Sequence, residues 1–403
     1  MVTTPASTEA SSTARSRADG GVLITGATGF VGMELLSRYL ERSEQPVYAL
    51  IRAPDPAAAE RRLRGVLISL YGREDAYRDR VAPVQGDIES EGLGMDRSDR
   101  RVISERVTEI VHAAASVSFS LPLERAREVN VAGTRRVLEL GQDCVLAGGG
   151  LRRFSYVSTA YVAGDHAGEF GEDQLDVGQG FRNSYERSKF EAEQLVHEHS
   201  DHLPVQVFRP SIVVGERATG WTNSFNVLYS PLKAFARGAL PVIPGRPSTP
   251  VDVVPVDYVA DAVLELSHRP LSGDETYHLV AGPEATSAGR VATMASRYFG
   301  RRPPRMIPPW LYRRLLRPLI VRRSEGRRRR ALEQSEVLFP YFSLRLHFDD
   351  RRARSRLGPA GIAAPPLENY FERLCDFAVR ARWGRRQPRR ADAIRIPAGT
   401  AAT

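Results

Sequence analysis

The chain has 403 residues, 42% of them hydrophobic, a formal net charge of +9 and only two cysteines, Cys144 and Cys375. The apolar content suffices for one large domain or two modest ones; the cysteine count excludes a disulfide framework or a thiolate metal site and fits a reducing cytoplasm. The basic character is local: residues 301–330 hold twelve arginines against one acid, Glu325, so the rest of the chain is slightly acidic.

Residues 1–20 are rich in Ser, Thr and Ala and lack the apolar stretch of a signal peptide, so a disordered lead-in is expected. Apolar runs at 21–27, 46–52, 80–87, 109–115, 153–159 and 204–215 read as strands. Between them, 32–43 and 130–148 carry apolar residues at helical spacing. Strands alternating with helices predict an α/β fold, a doubly wound parallel sheet of the Rossmann type within residues 21–300. From 216 to 300 the rhythm loosens into a smaller substrate lobe. His197, His199 and His202 read as the solvated end of a helix, and no metal site is expected.

In residues 301–330, Pro308 and Pro309 can open a helix with Leu311, Leu315 and Leu319 on one face and Leu316 and Ile320 beside them. Arg313, Arg314 and Arg317 fall elsewhere, and Pro318 should bend or end the helix. Three readings stand: docking on an anionic membrane surface, a contact with the phosphates of CoA or an acyl carrier, or a solvated linker helix. Stacking aromatics are scarce beyond Trp310 and Tyr312, so nucleic acid is not an expected partner. Residues 331–383 suggest a helical C-terminal region, and 384–403 a disordered tail.

The turn "TGATGFVG" (25–32) follows the first strand and opens a helix, with Gly26, Gly29 and Gly32 spaced G-x-x-G-x-x-G around Thr28, Phe30 and Val31. Such a turn lets backbone approach a pyrophosphate, and the helix N-terminus offers free N–H groups. Arg52, after the second strand, suits the 2′-phosphate of NADP(H) through a charge-assisted fork, while Asp55 keeps NAD(H) open. Asp87 and Ile88 can meet the adenine, and the small Ala113, Ala114 and Ala115 let a cofactor lie close.

Tyr185 and Lys189 are four residues apart and share a helix face. The chain has only two lysines, the other being Lys233, so a lysine here is a choice of ammonium over guanidinium. Beside a phenol it would lower the phenol's pKa, and it could bond a ribose. Ser158 and Thr159 supply hydroxyls at the end of the fifth strand.

These residues resemble the extended short-chain dehydrogenase/reductase family over about 22–280. The resemblance implies that Tyr185 protonates a developing alkoxide, Lys189 tunes it, and Thr159 polarises the carbonyl, with Ser158 as the fallback. "VHAAASVSFSLPLERAREVNVAGTRRVLEL", "VSTAYV", "SYERSKFEAE", "FRPSIVVGE" and "VDVVPVDYVADAV" look like the fatty acyl-CoA reductase (male-sterility) and thioester reductase branch. Within these motifs Asn130, Pro210 and Ile212 join Tyr185 and Lys189 as expected cofactor contacts. "LRLHFDDRRARSRLG" and "ENYFERLCDFAVR" resemble the C-terminal part of those reductases. The implied activity is NADPH-dependent reduction of a fatty acyl-CoA or carrier-bound thioester to an aldehyde, with an alcohol after a second hydride. Rivals are a hydroxysteroid, aldehyde or ketone reductase, a sugar-nucleotide epimerase, and a noncatalytic NADP-sensing protein. The expected location is cytoplasmic, peripheral at the inner membrane face if 301–330 docks there.

Overall fold

The computed structural model describes residues 20–322, 341 and 344–394, apart from 149, 226, 272 and 274. The expected lead-in, save Gly20, the arginine run 327–330 and the last nine residues of the tail lie outside them.

Seven strands build the central sheet: β1 Gly21–Thr25, β2 Val47–Ile51, β3 Val81–Gln85, β4 Val107–His112, β5 Arg153–Val157, β6 Val205–Pro210 and β7 Glu275–Leu279. All run parallel, in the order β7-β6-β5-β4-β1-β2-β3. Strands β1, β4, β5 and β6 are buried along their whole length, and their apolar residues are those of a sheet covered on both faces. On β1, Val22 and Ile24 face one apolar cluster and Leu23 the other, as the two-residue repeat of a strand requires. Helices α1 (Phe30–Arg42) and α2 (Pro56–Tyr71) cover the first face; α3 (Arg97–Arg106), α4 (Gly133–Leu146) and α5 (Ser184–His197) cover the second. The order reverses between β1 and β4, and a crevice opens there at the strands' C-terminal ends.

The substrate lobe begins with α6 (Tyr229–Ala236), while α7 (Val256–Ser267) returns to pack on α1. A third apolar cluster joins Leu228, Tyr229, Leu232 and Phe235 to Leu374, Cys375 and Ala378 of α8 (Phe371–Arg380). The C-terminal region therefore shares the lobe's core. It also supplies a strand, Leu346–Phe348, parallel to Gly168–Phe170.

Three expectations need correction. Strand β7 was missed because "ETYHL" reads as polar, yet every residue in it is buried with a partner. The 301–330 segment is not a free helix: Arg305–Ile307 pairs with Val242–Pro244, and the helix runs through a π turn, Tyr312–Leu316, before Arg317–Arg322. Pro318 does not end it, because the π turn places that residue at the start of the next helical segment, where an N–H is dispensable. The π turn also shifts the faces, so that Tyr312 is buried while Trp310 and Leu315 are exposed. Finally, order does not stop at 383. Residues 384–394 are laid over the domain, and α9 (Arg390–Ile394) anchors them through Arg390, which pairs with Glu216, with Glu34 at 3.0 Å and with Glu41 at 3.8 Å.

Candidate active site

The glycine turn is shaped by contact, not only by flexibility. Gly26 has φ 74°, and a Cβ there would lie 2.7 Å from the Ala114 nitrogen. A Cβ on Gly32 would lie 2.0 Å from the Gly26 carbonyl oxygen. Gly29 caps α1 without any side-chain hydrogen bond, so the first N–H groups of a 13-residue helix are left facing the crevice. A close backbone cradle at a helix N-terminus fits the pyrophosphate of a dinucleotide.

A cavity of about 830 Å³ extends from this turn along the C-terminal ends of β1, β4, β5 and β6. Gly26, Thr28, Gly29, Phe30, Val31, Gly32, Ala113, Ala115, Ser158, Thr159, Tyr185, Lys189, Pro210 and Ile212 all line it. Five of the expected residues do not. Ala114 lies behind the wall, its N–H donating to Thr25 Oγ1 at 3.2 Å. Asn130 is buried and spends its amide on Ser116 and on Ser188 Oγ, so it braces the loop after β4. Arg52, Asp87 and Ile88 sit at the ends of β2 and β3, beyond the cavity. Ile88 packs against Gly133, and Asp87 accepts from the Glu89 N–H at 3.0 Å. Arg52 is exposed and pairs with Glu89 at 3.1 Å. Asp55 is committed elsewhere: its carboxylate caps α2 by accepting from the Ala58 N–H at 2.7 Å.

The two strand-end hydroxyls part company. Ser158, at the cavity wall, spends its hydroxyl on the buried Glu193 carboxylate, donating to Oε2. Thr159 faces the cavity, bonded to the Pro210 carbonyl at 3.4 Å and sharing a hydrogen bond with Tyr185. Burial pushes the Tyr185 phenol up to about 12, against that hydrogen bond. The Lys189 ammonium bonds Tyr156 Oη at 2.6 Å and the Val157 carbonyl at 2.9 Å. Burial pulls Lys189 down to about 7, and Glu193 pulls it back up. Glu193 is itself fully buried; Arg209 and His197 overcome the effect of burial and hold it at about 2. Arg209 Nε reaches Glu193 Oε1 at 2.7 Å, and its Nη1 meets His278 at 3.2 Å.

A thioester carbon between Thr159 and Tyr185 would therefore find two hydroxyls for its oxygen, with aliphatic walls from Val213, Val214, Val227 and Leu228. The match to the Male sterility protein family covers residues 24–263. The chain belongs to this family. Among similar proteins are a fatty acyl-CoA reductase of Drosophila melanogaster, 29% identical over 61% of this chain, and the L-2-aminoadipate reductase large subunit of Eremothecium gossypii, 31% identical over 66%. The chain spans 53% and 20% of their lengths. The crystal structure of the terminal R domain from the myxalamid PKS-NRPS pathway superposes with a TM-score of 0.78 at 29% identity, covering 90% of this chain and 91% of that one.

This male-sterility domain has functional-site residues that sequence reasoning missed. Phe119, Tyr161 and Tyr341 gather round Tyr185: Phe119 lies 5.5 Å from the Tyr185 ring and 5.7 Å from Tyr341, which meets Tyr161 at 5.3 Å. Phe119 and Tyr161 stood inside the motifs "SVSFS" and "VSTAYV". Tyr341 and Gln387, which also line the cavity, carry no local signal.

Proposed function

We propose that the chain is an NADPH-dependent reductase of acyl thioesters, fatty acyl-CoA or carrier-bound, forming an aldehyde and, by a second round, an alcohol. The observation that carries this reading is the pair of cavity-facing hydroxyls, Thr159 and Tyr185, beside the buried Lys189. Bound reduced nicotinamide supplies the hydride. Thr159 and Tyr185 donate to the carbonyl oxygen as charge gathers on it. A phenol raised to about 12 stays protonated at neutral pH and can give its proton to an alkoxide. Lys189 holds a ribose hydroxyl and, when charged, favours that transfer. Arg52 supports NADPH over NADH, since its guanidinium is exposed and its partner Glu89 can keep Arg125, at 2.7 Å, when a phosphate takes Arg52. The test is NADPH-dependent release of free thiol from a long-chain acyl-CoA and from an acylated carrier protein by the purified protein; no release from either refutes the reading.

A second reading concerns location. No helix among the described residues is long and apolar enough to cross a membrane. Exposed Trp310 and Leu315 on an arginine-bearing segment favour peripheral docking at an anionic cytoplasmic surface. Sedimentation with anionic liposomes at low salt should recover the protein, and recovery should fall at high salt or with neutral liposomes.

A further inference from the structure

His112, the last residue of β4, is buried and does not line the cavity, yet both of its ring nitrogens are engaged. Nδ1 lies 2.7 Å from Thr25 Oγ1, and Nε2 lies 3.0 Å from Thr134 Oγ1. Thr25 ends β1, directly before Gly26, and Thr134 stands in the first turn of α4. The one hydroxyl proton of Thr134 goes to the Asn130 carbonyl at 2.6 Å, because a carbonyl can only accept. Towards His112 the Thr134 oxygen must then accept, so Nε2 carries the proton. The ring is not an imidazolium: burial, and then the positive Lys189, pull its pKa down to about 3. That lysine stands close by, its Nζ 4.1 Å from the centre of the Tyr156 ring, which lies 5.6 Å from the His112 ring. Nδ1 is therefore bare and accepts from the Thr25 hydroxyl. Thr25 in turn accepts from the Ala114 N–H at 3.2 Å, which holds the loop after β4 against the glycine turn.

The series continues towards the reacting residues. The Asn130 side chain donates through Nδ2 to Ser188 Oγ at 2.9 Å, and Ser188 donates to the Tyr185 carbonyl at 3.0 Å. Every proton points the same way, from the Ala114 N–H to the backbone of Tyr185. The side chains of Thr25, His112, Asn130, Thr134 and Ser188 belong to residues at most 2% exposed, so water does not replace a missing bond. Apolar residues would fill the same space without the cost of burying these groups. What the polar series adds is register: it fixes the ends of β1 and β4 and the first turn of α5 relative to one another.

We propose that His112 is a positioning residue: as its neutral Nε2–H tautomer it ties the nucleotide-binding turn to the helix that carries Tyr185 and Lys189, so that cofactor and phenol are aligned together. Its effect on turnover rests on the thioester reading above; its effect on the cofactor does not.

The test uses three variants of the full chain. His112→Phe cuts both bonds. His112→Gln keeps an acceptor and a donor about as far apart as the two ring nitrogens. Ser188→Ala cuts the far end without touching the ring. Fluorescence titration with NADPH counts folded sites, and turnover of decanoyl-CoA at saturating NADPH is expressed per site. His112→Phe and Ser188→Ala should each lose about tenfold in kcat, because a small misalignment slows hydride transfer. NADPH deuterated at the transferred position should then show a larger isotope effect on kcat than in the wild type. His112→Gln should restore both readings, and the double variant His112→Phe/Ser188→Ala should lose no more than either single one, since one link is cut twice. Lower melting temperatures with kcat per site and isotope effect unchanged would mean a merely structural histidine and overturn the proposal. If His112→Phe fails to fold, Ser188→Ala and Thr134→Ala carry the same comparison. Nitrogen NMR of protein labelled with 15N-histidine, assigned by the signal lost in His112→Gln, should show a protonated Nε2 and a bare Nδ1 at neutral pH; the other tautomer or an imidazolium overturns it as well. If the wild type reduces no thioester, the thioester reading fails by itself. The link is then judged on NADPH affinity, which should weaken in His112→Phe and in Ser188→Ala without adding in the double variant; unchanged affinity or additive losses refute it.

Discussion

Replacing Lys189 with methionine separates what the lysine does for catalysis from what it costs the fold. Its ammonium is 2% exposed, and burial pulls it from 10.5 down to about 7, with Glu193 opposing. The unfolded lysine keeps its proton to about 10.5, whereas the folded one gives it up above about 7. Between those values the unfolded chain binds more protons, so wild-type stability rises with pH, by about 5 kcal/mol across the window. Methionine fills a similar volume without charge. It leaves Tyr156 Oη and the Val157 carbonyl each short of a donor, at about 1–2 kcal/mol together. The variant should therefore be more stable at neutral pH by about 3 kcal/mol, and the advantage should shrink and reverse towards pH 10. Denaturant unfolding of both proteins across this range reads the difference, and turnover reads the function, which the variant should lose. A stability gap that does not narrow with rising pH, or wild-type turnover in Lys189→Met, would refute the reasoning.

Thr159→Ala should lower turnover by about a hundredfold, because it removes an oxyanion donor. Ser158→Ala should instead lower stability by about 1–3 kcal/mol, because it leaves a buried Glu193 oxygen without its donor. Steady-state kinetics and thermal melts of the pair distinguish these roles, and the reverse pattern would exchange them. Tyr185→Phe should bind NADPH normally by fluorescence titration yet lose most aldehyde reduction, since only the transferable proton is gone; retained turnover would exclude the phenol as donor. Arg52→Asp should raise KM for NADPH far more than for NADH, and equal effects would remove Arg52 from the cofactor site.

The parts legible in the sequence are those where one local pattern meets one physical requirement. Six strands were visible because each carries enough apolar residues to stand out, although β4, β5 and β6 also bury polar residues such as Glu109, Arg153 and Arg209. The glycine turn was visible because a Cβ at Gly26 or Gly32 collides with backbone. Tyr185 and Lys189 were visible because a helix fixes their spacing. Ser158 and Thr159 could not be told apart by counting along the chain. The structure separates them by their partners: Ser158 bonds Glu193 of α5, while Thr159 shares a hydrogen bond with Tyr185. Strand β7 was hidden by polar residues whose partners are far away in sequence: Glu275 meets Tyr277, while His278 meets Arg209 and the Asp349 carbonyl. Arg390 was hidden for the same reason, as nothing near it announces Glu34 or Glu216.

Those distant partners also explain why the reacting residues are held in place by so much of the chain. Tyr185, Lys189 and Glu193 lie four residues apart along α5, so one face of one helix carries the cavity-lining phenol, its neighbouring lysine and a buried anion. Glu193 ties that face to β5 through Ser158 and to β6 through Arg209. Arg209 passes the constraint to His278 on β7, and His278 Nδ1 meets the Asp349 carbonyl at 2.7 Å, just after the strand Leu346–Phe348. The links from Ser158 to His278 are buried, so breaking one strands a polar group away from water. The rotation of α5, and with it the direction of the Tyr185 phenol into the cavity, is thus set jointly by β5, β6, β7 and the C-terminal region. A C-terminal segment that makes no contact with the reacting atoms is in this way part of what positions them.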